Sequence, residues 1–286
     1  MSKFLYTVFL PGLNKTVHLT ELFFTEFKQL VKIITNNNDD LIAQAFDEII
    51  KTHCIEDVSH CTAIDKLLIL LTIRMVCISP VLEMVVTCPE TKKTFNCSID
   101  ISDINKIIEN IRYPEETKTY INDIEICYNL PSSLYIPKDI DSMQTVISSV
   151  SVGDITTYDI ESVINRLPAN ILRDAKTFMS SIYTYMDNIE LLKIASPFNI
   201  NAKPITLTAN IFNGSVLELL KICFRRDLMS MYQLEYFLMS QFRTNYETLN
   251  ATTPAELSIY VNLFKEEQKE KEKEQKDNSM TLNPTQ

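Results

Sequence analysis

The chain has 286 residues and carries 27 Lys+Arg against 37 Asp+Glu, a formal net charge of −10. That acidic balance argues against a general nucleic-acid binder, which needs clustered cations to displace counterions from phosphates. The only glycines, Gly12, Gly153 and Gly214, are too scattered for the glycine-dense loops that cradle nucleotide phosphates.

A 45% apolar content is enough to bury a real core, and the length fits one large domain or two ordinary ones. Leu5–Phe9 and Thr16–Leu19 flank Pro11-Gly12-Leu13-Asn14 as a small β element. Thr20 is placed to cap a helix with the buried face Phe23, Phe27, Leu30 and Ile34, and Glu21 suits its electropositive first turn. Asn36-Asn37-Asn38 breaks that helix. Asp39 and Asp40 are placed to cap a second, with the face Ile42, Ala45, Phe46, Ile49 and Ile50. A third helix, Ala63 to Cys77, is nearly all apolar between Lys66 and Arg74 and is expected at the centre of the core. The apolar stretch from Leu67 to Val86 is interrupted by Arg74, Pro80 and Glu83, so it reads as a buried helix and a strand, not a membrane span.

Leu82–Thr87 and Thr94–Ile99 form a hairpin around Pro89-Glu90-Thr91-Lys92, and Ile101–Ile111 carries a short helical pattern. Thr117–Ile121 and Ile124–Tyr128 pair across Asn122-Asp123. Beyond Leu130-Pro131 strand signals almost vanish. Helices are predicted at about 142–150, 155–166 and 169–194, with Pro168 at an entry position. Ser196–Thr208 reads as a loop or short strand. Two helices follow, with faces Val216, Leu219, Leu220 and Cys223, then Leu228, Met231, Glu235, Leu238 and Phe242. The last helix opens at Thr253-Pro254 and buries Leu257, Tyr260, Val261 and Phe264. Lys265–Lys276 continues it as a solvated run held by i,i+4 ion pairs, without the apolar stripe a docking arm needs. The final ten residues read as disordered. The fold prediction is therefore α+β: an N-terminal α+β domain with short β-hairpins over 1–140, a mainly α-helical half over 141–264, and a charged extension and tail over 265–286.

The seven cysteines, an odd number with no secretory leader in view, point to reduced thiols. The densest chemical cluster is His53-Cys54 and His60-Cys61. Four zinc-type ligands lie close together, but not as the paired C-x2–4-C units of structural sites. The simpler reading makes Cys54 part of a helix face and both histidines loop groups. Cys88 and Cys97 flank the first long hairpin without the near partners that would complete zinc knuckles, so no metal or other cofactor is assigned. No G-x-S-x-G, H-E-x-x-H or catalytic-cysteine signature is present, and the carboxylate pairs fall where capping explains them, so no catalytic residue is assigned. Arg225-Arg226 reads as compensation of a helix C-terminus.

Several segments together carry a resemblance. They are "LPGLNKTVHLTELFFTEFKQLVK", the helix "AIDKLLILLTIRMVCIS", the hairpin "VTCPETKKTFNCSIDI" and the strand "IEICYNLPSSL" over residues 3–140, and more loosely "FRRDLMSMYQLEYFLMSQF" and "TPAELSIYVNLFKEEQKEKEKE" over 215–275. This order of features resembles the T4-like phage baseplate hub proteins, the small hub subunit or hub-assembly factor. The hairpin departs from a C-x-x-C pattern, so no zinc site is carried over.

The resemblance implies a non-enzymatic tail protein that works through contacts with other baseplate hub and tail proteins. It would sit in the virion tail as a resident subunit, with host-cytoplasmic assembly before that, or act only as a transient assembly chaperone. A homo-oligomer in the assembly is compatible with it; nucleic acid and a membrane span are not expected. Two readings of other classes stand beside it: a small metal-binding protein or hydrolase using His53–Cys61, and an unrelated helical scaffold. Leu257, Tyr260 and Phe264 are the candidate docking residues, with packing on the chain's own helices as the plainer role for the same face.

Overall fold

The computed structural model describes residues 5–111, 113, 117–136, 142–182, 189–198, 203–210 and 215–281. The chain opens with an antiparallel hairpin, β1 (Tyr6–Leu10) and β2 (Lys15–Leu19), in register Val8 opposite Val17. Its inward residues Val8, Leu10, Val17 and Leu19 are buried, as strand alternation requires. Helices α1 (Phe24–Thr35), α2 (Asp39–His53) and α3 (Ala63–Cys77) follow.

Two caps differ from expectation. Thr20 does not start α1: its backbone N–H donates to the carbonyl of His53 (2.8 Å), so the chain stays extended to Phe23. There the Glu26 carboxylate accepts the Phe23 N–H at 2.8 Å. In α2 the cap is Asn38, whose Oδ1 accepts the Leu41 N–H, and Asp39 and Asp40 occupy the first turn instead. The carboxylates still meet the positive end of the helix dipole, one position further in.

Helix α3 is the centre of the core, as its composition predicts. Twelve of its positions are buried, and it packs on α2 and β1. Its first turn is a reciprocal cap: Thr62 Oγ1 accepts the Asp65 N–H, and the Asp65 carboxylate accepts the Thr62 N–H at 3.1 Å. The same buried carboxylate accepts the Gly12 N–H (2.9 Å), which locks the β1–β2 turn onto the end of α3. Burial pushes the Asp65 carboxyl above its ordinary range, against the lowering effect of these hydrogen bonds. A Cβ on Gly12 would overlap that carboxylate. Gly12→Ala is therefore expected to lower stability by about 1–3 kcal/mol, read as a shift in urea midpoint. A variant as stable as wild type would show that the turn can shift without losing the cap.

Strands β3 (Val81–Thr87) and β4 (Thr94–Asp100) form the expected hairpin, and α4 (Ile101–Glu109) is capped by Asp100, which accepts the Ser102 N–H at 2.8 Å. Next come β5 (Lys118–Ile121) and β6 (Ile124–Tyr128), joined by Asn122 and Asp123, both at positive φ, as a two-residue hairpin turn of the twisted kind demands.

The second half carries more strand than the sequence suggests. A short α5 (Ser142–Val146) leads directly into β7 (Ile147–Val152), so the helix predicted over 142–150 ends early. Strand β8 (Ile155–Thr157) replaces the start of the helix predicted over 155–166, and only α6 (Ile160–Ile164) remains of it. Strands β5 to β8 form one antiparallel meander, in which β7 takes the open edge of β6 with Ile126 opposite Val150. Helix α7 (Ala169–Ile182) covers the first part of the predicted 169–194 helix; residues 183–188 lie outside the described residues, and β9 (Ile189–Ile194) ends it as a strand. It pairs antiparallel with β10 (Ile205–Ala209).

The remaining elements are α8 (Ser215–Phe224), α9 (Leu228–Phe242), α10 (Tyr246–Asn250) and α11 (Pro254–Thr281). Thr253 caps α11 as expected, exchanging hydrogen bonds with Glu256. The helix continues to Thr281, past the point where disorder was expected; residues 282–286 lie outside the described residues. The architecture is α+β: the β1–β2 hairpin packs on α3, the β5–β8 meander on α6 and α7, the β9–β10 pair on α4 and α8, and helices form the C-terminal layer. Arg74 joins these parts. It is buried near the end of α3, and its Nε donates to the Cys223 carbonyl of α8 (2.8 Å), its Nη2 to Val81 O (3.2 Å) and its Nη1 to Ser79 O.

Candidate interaction surface

Among the described residues no group of three or more His, Cys, Asp or Glu is placed to hold a metal ion. The four residues of the His53–Cys61 stretch have separate settings. His53 is not a loop group: it ends α2 and is 4% exposed. Its Nδ1 lies 3.0 Å from Thr20 Oγ1 and its Nε2 3.3 Å from the Glu26 carboxylate. Cys54 is buried, and its residue bridges to Leu19 of β2. Cys61 is fully buried, whereas His60 is exposed. Burial pushes both thiols up to about 12, which disfavours the thiolate that a metal or an electrophile would require.

The other flagged cysteines are also apart in register. Cys97 faces Met84 across the hairpin, while Cys88 follows the end of β3 and bonds through its backbone to Lys93. Hydrogen bonds from Ser196 and Thr91 bring the Cys88 thiol down to about 7, and the hairpin tip packs on the Ser196–Phe198 segment through an edge contact of Phe95 with Phe198.

The C-terminal helices present a different chemistry. Helix α9 lies on α1, fixed by a buried ion pair between Lys28 and Glu235 with Nζ–O distances of 2.8 and 3.0 Å. The same ammonium sits 5.3–5.7 Å from the ring centroids of Phe24, Tyr232 and Tyr246, so three helices share one cation. Further along, Phe237, Phe242 and Phe264 meet edge to face at 5.1–6.2 Å and hold α11 against α9.

The three sequence-predicted docking residues share this region but not one exposure. Leu257 is 2% exposed and belongs to the core. Phe264 is half-buried in the phenylalanine triad. Tyr260, expected to be buried, is 51% exposed. Together with Leu257 and with Leu238, Phe242, Leu249 and Thr252, Tyr260 lines a cavity of about 310 Å3 between α9, α10 and α11. On the outer side of α11, Ile259 and Leu263 are 58% and 57% exposed. From Lys265 to Glu274 the helix is polar and exposed, with an ion pair from Lys271 to Glu267 at 2.6 Å.

Glu235 was legible as a charge on an apolar helix face, which implies a buried partner. The outer side of α9 is also apolar, and the predicted face of Leu228, Met231, Glu235, Leu238 and Phe242 leaves it without a role. There Met229, Tyr232, Tyr236 and Met239 are all exposed. Among the described residues no helix is long and apolar enough to cross a membrane.

The family described as T4 bacteriophage base plate protein matches residues 1–193. That match runs through the β5–β8 meander and α7, past the 3–140 stretch on which the resemblance was strongest, and stops before the C-terminal helices. No curated protein and no solved structure matches the chain.

Proposed function

From a chain that belongs to the T4 bacteriophage base plate protein family, we propose a non-enzymatic part in building the baseplate hub, as a resident hub subunit or as a hub-assembly factor. Membership of a baseplate family implies contact with other phage tail proteins, and it is the observation that carries the reading. Tyr260 supports it: an exposed aromatic at the rim of an apolar cavity suits an anchor for a partner side chain. Ile259 and Leu263 extend the apolar surface beside it. Specificity would come from shape and from the charges around the rim.

Affinity purification of the tagged chain from infected cells, with mass spectrometry on the eluate and on purified virions, is expected to recover baseplate hub proteins. Presence in virions assigns the resident subunit; absence from them with hub proteins recovered assigns the assembly factor. The long charged end of α11 favours the assembly factor, because it keeps a free protein dispersed without offering apolar surface. Tyr260→Asp is expected to reduce hub-protein recovery about 30-fold, the loss of one hot-spot side chain. Undiminished recovery would move the docking face elsewhere, and no tail protein in either sample would sink the hub reading.

A further inference from the structure

Helix α9 carries two apolar stripes. The inner one, Met231, Glu235 and Leu238, is buried against the body of the protein. The outer one is Met229, Tyr232, Tyr236 and Met239, exposed by 63%, 42%, 76% and 40%. Its spacing of three, four and three residues is that of a helix–helix seam. The outer face of a surface helix is ordinarily charged. The only charged residue of α9 is Glu235, and it is turned inward to Lys28. Exposed Gln233 and Ser240 flank the stripe, and the Lys32 ammonium of α1 stands beside Tyr232 at its edge. Tyrosine and methionine without Lys, Asp or Glu is the composition of an interface core. The stripe is also pre-shaped, because Lys28 and Lys32 of α1 both stand about 5.5 Å or less from the Tyr232 ring centroid.

The order of the stripe selects its occupant. Met-Tyr-Tyr-Met is symmetric about position 234, so it is complementary to itself when reversed. We propose that two copies of this chain associate through α9 in an antiparallel pair, with Met229 against Met239 of a second copy and Tyr232 against Tyr236 of a second copy. Each contact then occurs twice about a two-fold axis, the closed arrangement most homo-oligomers adopt. The two helix dipoles oppose, which is favourable. With about 200 Å2 for a fully exposed Tyr or Met side chain, the four residues present about 450 Å2 per copy. Two copies with their flanking Gln233 and Ser240 reach about 1,000 Å2, the lower bound for a specific interface. The net charge of −10 on each chain is screened within about 8–10 Å at physiological salt and has no member on the seam itself.

Sedimentation equilibrium of the full chain tests this. A dimer is expected to predominate once the concentration reaches about 100 µM. Tyr236→Glu is expected to weaken association at least about 100-fold, because the lesion occurs twice in the pair, with an unchanged circular dichroism spectrum. Met229→Lys and Met239→Glu should each be monomeric alone, and mixing them should restore a dimer, since opposite charges meet only in the antiparallel register. A monomeric wild type overturns the proposal. So does a dimer indifferent to Tyr236→Glu, which pairs through another face. A monomer whose Tyr236→Glu variant loses hub proteins also overturns it, by giving the stripe to a different protein, and leaves the hub reading intact.

Discussion

Lys28→Ala is expected to lower the unfolding free energy by about 3–5 kcal/mol. The lysine is 5% exposed and Glu235 is 7% exposed, so removing the cation leaves a carboxylate in the core with no ammonium opposite it. The three rings around Nζ lose their cation as well, which loosens α9 and α10 from α1 together. The pair is costly to bury as well as costly to break, so Lys28→Met combined with Glu235→Leu is expected to recover most of the loss. Urea unfolding of Lys28→Met, Glu235→Leu and the double variant closes the cycle. A cost below about 1 kcal/mol for Lys28→Ala would mean the pair behaves as a solvated surface contact.

Arg74→Met is expected to cost about 4 kcal/mol by the same measurement, although it removes no carboxylate contact. The guanidinium satisfies the carbonyls of Ser79, Val81 and Cys223, which come from the end of α3, the start of β3 and the last turn of α8. Two helix C-termini, each carrying partial negative charge, converge on it. Burial, with Arg226 nearby, pushes the guanidinium down to about 10, so it remains charged at neutral pH. The cation is thus held by peptide dipoles. Arg74→Lys is expected to restore less than half of the loss, because a single ammonium cannot reach three carbonyls spread over a planar fork. A lysine variant as stable as wild type would show that charge alone suffices.

Both predictions concern side chains whose settings are only half legible along the chain. Arg74 interrupts the apolar run of α3, and Glu235 stands on the apolar face of α9. A buried charge demands a partner, but the partner of Glu235 lies on the first helix, 207 residues away, and the Cys223 acceptor of Arg74 lies on α8, 149 residues away. No spacing along the chain encodes those meetings. The docking residues divide in the same way. Helical period placed Leu257, Tyr260 and Phe264 near one another, yet packing buried Leu257, set Phe264 among phenylalanines and left Tyr260 outside.

Local physical chemistry by itself determined the central helix, the three hairpins up to Tyr128 and the cap of α11. In each, a long apolar run, strict alternation around a turn or a Thr-Pro start has one low-energy solution within a few residues. Tertiary structure alone decided β7, β8 and β9. Ile147-Ser-Ser-Val and its neighbours are short and apolar enough for either helix or strand, and the open edge of β6 supplied hydrogen-bond partners for the extended form. It alone decided that the predicted face of α9, with Met231, Glu235 and Leu238, is covered by α1. No local spacing encodes that partner, because Lys28 stands 207 residues from Glu235 and meets it only once the two helices pack.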